Sequence, residues 1–233
     1  MGKQAPLQLR LASKKRERPI AFQAQRLFIA GWTARDKAAM QAHIDELAAL
    51  GVTPPSKTPL FYRVAASRLT TAETIQVSGT ASSGEAEVVL ANINGTLWVG
   101  VGSDHTDREV ETYNITVSKQ MCDKPMAATL WPLAEVEAHW DSLELRSYAE
   151  IDGHRVLYQE GSLSAMLPPE DLLARLKEEE PKGLQPGDMM MGGTLPALGG
   201  VRAASRFAFV LNDPVMDRGI GWDYAVETLP VVG

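Results

Sequence analysis

The sequence predicts a mainly β protein with some α-helix, of the α+β class. Segments in which apolar and polar residues alternate, as they do in half-buried strands, recur along most of the chain. Two dipeptides that favour tight hairpin turns, Asn94-Gly95 and Asp152-Gly153, each lie between two such segments. A helical spacing of apolar residues is found in one early stretch, and a proline followed by two acidic residues predicts a second helix late in the chain. We therefore expect antiparallel sheets with a small number of helices beside them.

The early part of the chain predicts a β-hairpin. Residues 7–11 and 26–30 alternate between apolar and polar side chains, as strands do. The charged stretch 14–18 between them is suited to an exposed turn.

A helix is predicted next, over residues 34–50. Apolar residues recur there at three- and four-residue spacing, which gives one buried stripe. Thr33 can cap the start of this helix and Gly51 its end. We expect residues 1–57 to form an N-terminal extension that packs on a core domain of residues 58–233.

The core domain is predicted to contain mostly strands. Its one helix, residues 169–180, begins at Pro169 with two acidic residues in the first turn, where they interact favourably with the helix dipole. The expected strands cover residues 73–78, 85–92, 97–102, 143–151, 155–159, 189–191, 206–211 and 224–232.

Composition and charge exclude several classes of function. With 45% hydrophobic residues, 22% charged residues and a net charge of −6, the chain lacks the basic surface that nucleic-acid binding requires. Cys122 is the only cysteine, so no intramolecular disulfide can form. The sequence has no apolar segment typical of a signal peptide or a membrane span. We therefore expect a cytoplasmic protein without nucleic-acid or membrane partners.

Glu85 and Glu87 are candidate metal ligands. Carboxylates two residues apart on a strand point to the same face, where they repel each other unless a cation separates them. Mg²⁺ and Mn²⁺ prefer such oxygen ligands, and Ca²⁺ is compatible as well. Taken alone, an isolated Glu-x-Glu pair is more often a solvated strand face.

A second acidic segment, residues 103–109, makes the metal hypothesis stronger. It holds five ionisable residues and directly follows an apolar strand. The Asn94-Gly95 turn folds that strand back beside the one that carries Glu85 and Glu87. Asp104 can then converge with the two glutamates, as an octahedral metal ion requires. The alternative is a charged turn whose residues pair with one another.

Two later segments offer groups that could bind a substrate. Lys119 could stabilise negative charge on a metal-bound substrate, although most lysines in such a segment are solvated. Gly193 and its neighbour Gly192 would let the backbone approach a ligand, and Thr194 would then offer its amide and hydroxyl to a carboxylate. A tight turn is the simpler explanation of the glycines. Cys122 is expected to be a buried structural thiol.

Five segments carry a combined signal when they are taken in order: Glu85-Ala86-Glu87, residues 103–109, Lys119, residues 153–159 and residues 186–196. Over roughly residues 58–230 they resemble motifs of the fumarylacetoacetate hydrolase superfamily. Residues 30–36, 103–109, 118–125 and 187–198 are, more specifically, similar to a bacterial family labelled domain of unknown function 2848.

The resemblance implies a mixed β-sandwich roll, commonly dimeric, that acts on a 2-oxo or 1,3-dicarbonyl acid chelated to Mg²⁺ or Mn²⁺. It implies C–C hydrolysis or a related lyase or isomerase reaction. The metal ligands it implies are Glu85, Glu87 and Asp104. By the same resemblance, Arg108 and Lys119 would orient the substrate and stabilise negative charge, and Thr194, with Gly193, would bind the substrate carboxylate.

Departures from the superfamily pattern leave alternatives open. Lys124 competes with Lys119 for the role of the motif lysine, and Glu111 stands where a glutamine is frequent. No histidine lies between Thr58 and Gly84, where hydrolytic members carry a Glu–His pair, so the general base is unassigned. A catalytically silent metal- or carboxylate-binding protein is the main alternative. A metal-free β-domain that assembles with a partner is another.

Overall fold

Most of the secondary structure in the computed structural model of this chain, which describes residues 5–49 and 54–232, is β-strand. The strands are β1 (Leu7–Ala12), β2 (Glu17–Phe22), β3 (Arg26–Gly31), β4 (Leu60–Val64), β5 (Leu69–Thr70), β6 (Thr74–Ser78), β7 (Ser82–Ser83), β8 (Ala86–Ile93), β9 (Thr96–Ser103), β10 (Thr106–Asp107), β11 (Lys124–Pro125), β12 (Thr129–Pro132), β13 (Glu144–Ile151), β14 (His154–Ser162), β15 (Asp188–Thr194), β16 (Arg206–Asp213) and β17 (Arg218–Leu229). The α-helices are α1 (Lys37–Ala49), α2 (Arg108–Tyr113), α3 (Ile115–Met121) and α4 (Pro169–Glu179). Short 3₁₀ turns cover Ala66–Arg68, Leu133–Glu135, Glu137–Ser142 and Leu163–Ala165.

The larger sheet has eight strands in the order β2-β1-β12-β9-β8-β15-β3-β4. Its centre is the β8–β9 hairpin, in which Asn94 and Gly95 adopt the left-handed conformation that a two-residue turn needs. All eight residues of β8 are buried, because both faces of this strand pack against apolar side chains. One face contributes to a core with the smaller sheet, and the other contributes to a second core of its own.

The smaller sheet has five strands in the order β14-β13-β16-β17-β6. The β13–β14 hairpin turns at Asp152 and Gly153, both with positive φ, as the sequence predicted. Phe207, Phe209 and Tyr224 project from this sheet into the shared core, where their rings contact one another. The predicted α+β fold with a mixed β-sandwich roll is thus confirmed.

The predicted early hairpin is present, but its second strand differs from the expectation. β1 pairs with β2, and the turn lies at residues 13–16. Residues 26–30 instead belong to β3, which lies on the far side of the same sheet between β15 and β4. A short alternating segment does not specify its partner, so both pairings fit the sequence. The division of the chain at residue 57 stays a prediction, although β1, β2 and β3 share one sheet with the later strands.

The early helix begins later than predicted. It starts at Lys37, and the Asp36 carboxylate accepts a hydrogen bond from the amide of Ala38 at 2.9 Å. Thr33 is therefore not the cap; its side chain is buried and its carbonyl oxygen accepts a hydrogen bond from the amide of Leu167. Gly51, the predicted end of the helix, lies outside the described residues.

Two short helices, α2 and α3, occupy residues for which the sequence predicted no helix. Each begins with a side-chain cap: Asp107 accepts from the amide of Val110, and Asn114 accepts from the amide of Val117. The late helix, α4, has the predicted bounds within one residue, with Glu170 and Asp171 in its first turn. Among the described residues, no helix combines the length and the apolar character that crossing a bilayer requires.

Candidate metal centre

Glu85, Glu87 and Asp104 meet where the β8–β9 hairpin opens. One carboxylate oxygen from each lies within 4.8 Å of the other two. The hairpin register pairs Glu87 with Gly102, and the amide of Asp104 donates to the carbonyl oxygen of Glu85 at 2.9 Å. The convergence expected from the Asn94-Gly95 turn is thus what the structure has.

Glu87 is held from the opposite neighbouring strand. The amide of Gly193, in β15, donates to Glu87 Oε2 at 2.8 Å. Gly193 has a φ of +96°, and a Cβ atom there would lie 1.9 Å from Thr33 Oγ1, so only glycine fits. Burial, together with the nearby Asp104 carboxylate, raises the pKa of Glu87 well above its ordinary value. Glu87 therefore favours its protonated form unless a further cation compensates the charge of its carboxylate.

Asp104 is the most enclosed of the three carboxylates, with no exposed surface. Lys119 Nζ donates to Asp104 Oδ2, and Lys124 Nζ lies 3.2 Å from Asp104 Oδ1. Burial by itself would raise the pKa of Asp104, but the two ammonium groups outweigh burial and lower it. Asp104 is therefore charged. Although close to Lys124, its Oδ1 has no hydrogen bond of good geometry within the described part of the chain.

Both candidate lysines reach the centre, from elements that the sequence did not predict. Lys119 lies in α3, and its Nζ is also 3.7 Å from Glu85 Oε2 and 5.7 Å from the centre of the Tyr62 ring. Lys124 lies in β11, is fully buried, and donates to the carbonyl oxygen of His105 at 2.5 Å. The segment that carries both lysines is thus a helix, α3, followed by a short strand, β11. Both lysines therefore contact Asp104, Lys119 at Oδ2 and Lys124 at Oδ1.

Arg108, the first residue of α2, adds a third cation. Its guanidinium lies 3.1 Å from Glu85, and it donates to Glu111 at 2.8 Å and to Ser83 Oγ at 2.7 Å. Burial would lower the pKa of Arg108, but Glu85 and Glu111 outweigh burial and raise it. Glu111, the departure from the superfamily pattern, therefore faces the centre and is balanced by Arg108.

The hydroxyl of Thr194 is not free, contrary to the sequence expectation. It donates to the carbonyl oxygen of Ala86 at 2.9 Å and accepts from Gln159 Nε2 at 2.6 Å. The Gly193 amide is likewise used, on Glu87. Gln159 is buried and accepts from the amide of Ala86 at 2.9 Å, so it locks β8 to the end of β15. The sequence marked this glutamine only as the end of a resemblance motif and gave it no role.

Cys122 is buried, as expected, and both ring nitrogens of the buried His105 are engaged by other side chains. His105 Nδ1 lies 2.8 Å from the Tyr224 hydroxyl and its Nε2 lies 2.9 Å from Ser82 Oγ. Burial, with Lys124 and Arg108 nearby, lowers the pKa of His105 to about 3, so the ring is neutral. Cys122 is buried, which raises the pKa of its thiol to about 11. Neither group is available as a general base or nucleophile.

A hard divalent cation fits these residues. The donor set is three carboxylates, which is the oxygen chemistry that Mg²⁺ and Mn²⁺ prefer. Asp104 Oδ1 is buried beside Lys124 without a well-formed hydrogen bond from any described residue, and burial together with the Asp104 carboxylate raises the pKa of Glu87; a bound cation would compensate both carboxylates. Four carboxylates face only three cations in this cluster, which consists of Glu85, Glu87, Asp104 and Glu111 with Arg108, Lys119 and Lys124.

A family model described as a protein of unknown function (DUF2848) matches residues 30–224, which is most of the chain. No curated protein matches the chain in sequence.

Solved structures share the fold. A 2-keto-3-deoxy-D-arabinonate dehydratase complexed with magnesium and 2,5-dioxopentanoate has a TM-score of 0.66 and 13% identity, over 92% of this chain and 77% of that one. Cg1458 has a TM-score of 0.62 and 13% identity, over 93% and 81% of the two chains. The 4-oxalocrotonate decarboxylase from Pseudomonas putida G7, complexed with calcium and acetate, has a TM-score of 0.54 and 14% identity, over 87% and 76%. These neighbours are members of the fumarylacetoacetate hydrolase superfamily, as the sequence motifs indicated.

Proposed function

Because the chain belongs to the DUF2848 family and three of its carboxylates converge on one point of a fumarylacetoacetate hydrolase-like fold, we propose that it is a divalent-metal-dependent enzyme that acts on a small 2-oxo or 1,3-dicarbonyl carboxylic acid. The convergence of Glu85, Glu87 and Asp104 carries this proposal. Two of the neighbours with this fold, the dehydratase and the decarboxylase, are enzymes with complexes that contain magnesium or calcium.

Glu85, Glu87 and Asp104 would hold the ion, which we propose to be Mg²⁺ or Mn²⁺, with Ca²⁺ compatible. A bound divalent ion supplies Lewis-acid chemistry, since it polarises a chelated carbonyl group. Glu87 and Asp104 are buried, whereas Glu85 is partly exposed, so the open side of the centre lies at Glu85. A chelating substrate would therefore approach from that side.

Arg108 and Lys119 are the groups that we propose for catalysis. Both lie on the Glu85 side of the centre, at 3.1 Å and 3.7 Å from its carboxylate oxygens. Fixed positive charges in a site with little water stabilise an enolate or carboxylate far better than they would in bulk water. Lys124, which is fully buried behind Asp104, is proposed as a positioning residue because it has no open path to a substrate.

Within this class of reaction we favour a lyase or isomerase step over hydrolysis. Hydrolysis needs a base that activates water, and His105, the histidine beside the ligands, has both ring nitrogens engaged. Decarboxylation yields the enolate by loss of CO₂ and needs no base, whereas dehydration and tautomerisation need a group that takes a proton from carbon but none that activates water. Two of the neighbours with this fold are a dehydratase and a decarboxylase, which supports the choice of reaction class.

A second candidate is a catalytically silent protein that binds a metal or a carboxylate on the same scaffold. Its supporting observation is that both groups expected to bind the substrate, the Gly193 amide and the Thr194 hydroxyl, donate to groups of the chain itself. Such a protein would bind the ion and a 2-oxo acid without turning it over.

Metal analysis and thermal unfolding test the proposal together. We expect Mg²⁺ or Mn²⁺ to raise the unfolding midpoint of the wild type and to leave a Glu85→Gln/Glu87→Gln variant unmoved, because a ligand of the folded state stabilises it. A screen of 2-oxo and 1,3-dicarbonyl acids with metal present should then give turnover. Binding without turnover would favour the silent protein, and absence of any metal response in the wild type would contradict both candidates.

A cytoplasmic homodimer remains part of the proposal. Sedimentation velocity of the purified protein measures the oligomer directly, and a mass near twice 25.3 kDa is expected. A monomer at micromolar concentration would contradict that part and leave the metal centre untouched.

A further inference from the structure

Lys119 and a metal ion compete for the same oxygens. Its Nζ donates to Asp104 Oδ2 and lies 3.7 Å from Glu85 Oε2, so one ammonium group bridges two of the three candidate ligands. Lys119 is itself buried, with 7% of its side chain exposed. A buried ammonium between two carboxylates does what a bound cation would do there, since it neutralises them at short range.

We propose that Lys119 is a built-in occupant of the cation site, which a divalent ion must displace from Asp104 and Glu85 before it can bind. This inference rests on the proposed function, because it presupposes that the three carboxylates bind metal. The exchange involves two cations and no covalent step, and Lys119 stays protonated throughout. It differs from the role proposed above, in which Lys119 acts on the substrate after the metal has bound.

Lys124 shows why the displaced group is Lys119. Lys124 has no exposed surface, and its Nζ is fixed by the His105 carbonyl oxygen at 2.5 Å as well as by Asp104. Lys119 lies instead in α3, between the carboxylates and the ring of Tyr62, 5.7 Å from the ring centre. That distance is within the range of a cation–π interaction. Lys119 therefore already has a second partner toward which it can move, and Lys124 has none that would release Asp104.

Tyr62 is placed to keep this second position available. It projects from β4, and its ring packs over Gly31, where a Cβ atom would lie 2.9 Å from Tyr62 Cε2. The hydroxyl of Tyr62 accepts from Trp32 Nε1 at 3.4 Å. Gly31 and Trp32 belong to the segment 30–36, which the sequence singled out and for which the proposed function gave no role. The inference gives this segment the task of holding the ring beside Lys119.

Isothermal titration calorimetry with Mn²⁺ as the only ligand tests the competition, because it measures the dissociation constant of the wild type and of each variant. We expect Lys119→Met and Lys119→Gln to bind Mn²⁺ at least about tenfold more tightly than the wild type, because a positive charge has been removed from the ligands. Lys119→Arg, which keeps the charge, should not bind more tightly. Lys177→Met removes an exposed lysine in α4 and should change the dissociation constant by less than about twofold, which controls for net charge.

Equal or weaker Mn²⁺ binding by both neutral variants, while the wild type binds, would overturn the competition and leave the proposed function standing. A wild type that binds no Mn²⁺, or a Glu87→Gln variant that binds it as tightly as the wild type, would remove the proposed function as well. The two failures are therefore distinct in one data set.

Tyr62 supplies an independent arm of the same titration. Tyr62→Leu removes the ring and should weaken Mn²⁺ binding a few fold, because the displaced ammonium loses its second partner. Tyr62→Phe keeps the ring and should bind as the wild type does. Equal affinities of the Leu and Phe variants would overturn the role of the ring.

Discussion

Two regions of this molecule each contain an aspartate with no exposed surface, Asp104 and Asp213. Their surroundings differ in how well the carboxylates are matched by donors and cations. At Asp213 the partners are complete. One oxygen lies 2.9 Å from His139 Nε2 and accepts from the amide of Met216, and the other accepts from Arg218 Nε at 3.1 Å. At Asp104 one oxygen pairs with Lys124 Nζ at 3.2 Å without a hydrogen bond of good geometry within the described residues, and two more carboxylates lie close by.

The surplus of negative charge, rather than burial, separates a candidate site from a structural brace. Arg218 also binds Glu135 at 2.8 Å and stacks over the ring of Trp131. The Asp213 cluster therefore connects the β16–β17 hairpin to β12 and to the 3₁₀ turn Leu133–Glu135. Each acid there has a matching donor. The Asp104 cluster has four carboxylates for three cations, and the surplus charge can be balanced by a bound cation or by a proton on Glu87, whose pKa is raised by burial and by Asp104.

The largest expected effect comes from Asp104→Asn. We expect metal-induced stabilisation and turnover to be lost altogether, because the amide is a poor ligand for Mg²⁺ and no longer balances Lys119 and Lys124. Asp107→Asn is the matched control in the same segment, since Asn retains the cap on the amide of Val110. Differential scanning fluorimetry with and without Mn²⁺ measures both variants. Retained metal stabilisation in Asp104→Asn would show that the two regions do not differ as described.

Asp213→Ala should be costly in stability and silent in metal binding. Removal of one member of a buried charged cluster leaves its partners unpaired, which costs about 3–5 kcal/mol. Asp223→Ala removes an exposed partner of Arg206 and should cost no more than about 1 kcal/mol. Urea unfolding gives both free energies. A weakened Mn²⁺ affinity in folded Asp213→Ala would mean that the brace and the centre are coupled.

Gly193→Ala should affect the centre through the backbone. A positive φ and the close approach of Thr33 together should cost about 2–3 kcal/mol, and the displaced amide should weaken Mn²⁺ binding about tenfold. Gly95→Ala shares the positive φ but has open space around the new Cβ atom. It should cost only about 1 kcal/mol, with no change in metal affinity. If both variants behaved alike, the contact with Thr33 would have no role.

The smallest expected effect concerns the reactivity of the Cys122 thiol, which is buried. Its thiol pKa, raised to about 11 by burial, leaves only about one thiolate in a thousand at pH 8. We expect no reaction with a disulfide reagent over an hour at pH 8 in the native protein, and full reaction in guanidinium chloride. The pKa is raised in the folded state, so the native rate should stay low until the pH approaches 11. Fast labelling of the native protein at pH 8 would contradict the burial of this thiol.

The convergence of the three candidate metal ligands could be predicted from sequence because it depends on a local feature. Asn94-Gly95 fixes the register of a single hairpin, and that register alone brings Glu87 and Asp104 together. The helices at residues 108–121 were missed because each is at most seven residues long, which is too short for a periodic pattern.

Contacts between distant parts of the chain had no sequence signal. Lys124 reaches Asp104 through a two-residue pairing of β11 with β5, and His139 reaches Asp213 across 74 positions. Composition and spacing do not record such pairings. The occupied Thr194 hydroxyl has the same origin, since Gln159 comes from another hairpin, 35 positions away.

The position of β3 has a consequence for the order of events during synthesis. β3 pairs in parallel with β15, Arg26 beside Asp188, and the Gly193 amide that holds Glu87 belongs to the same late strand. The ribosome must therefore synthesise the chain as far as Asp188 before β3 can begin to pair with β15, and as far as Gly193 before the contact with Glu87 can form. Until then Glu87 lacks the hydrogen bond from the Gly193 amide, and β3 lacks β15, one of its two neighbouring strands. Such distant pairings are slow to close, so a nascent chain should acquire the centre as one of its last features.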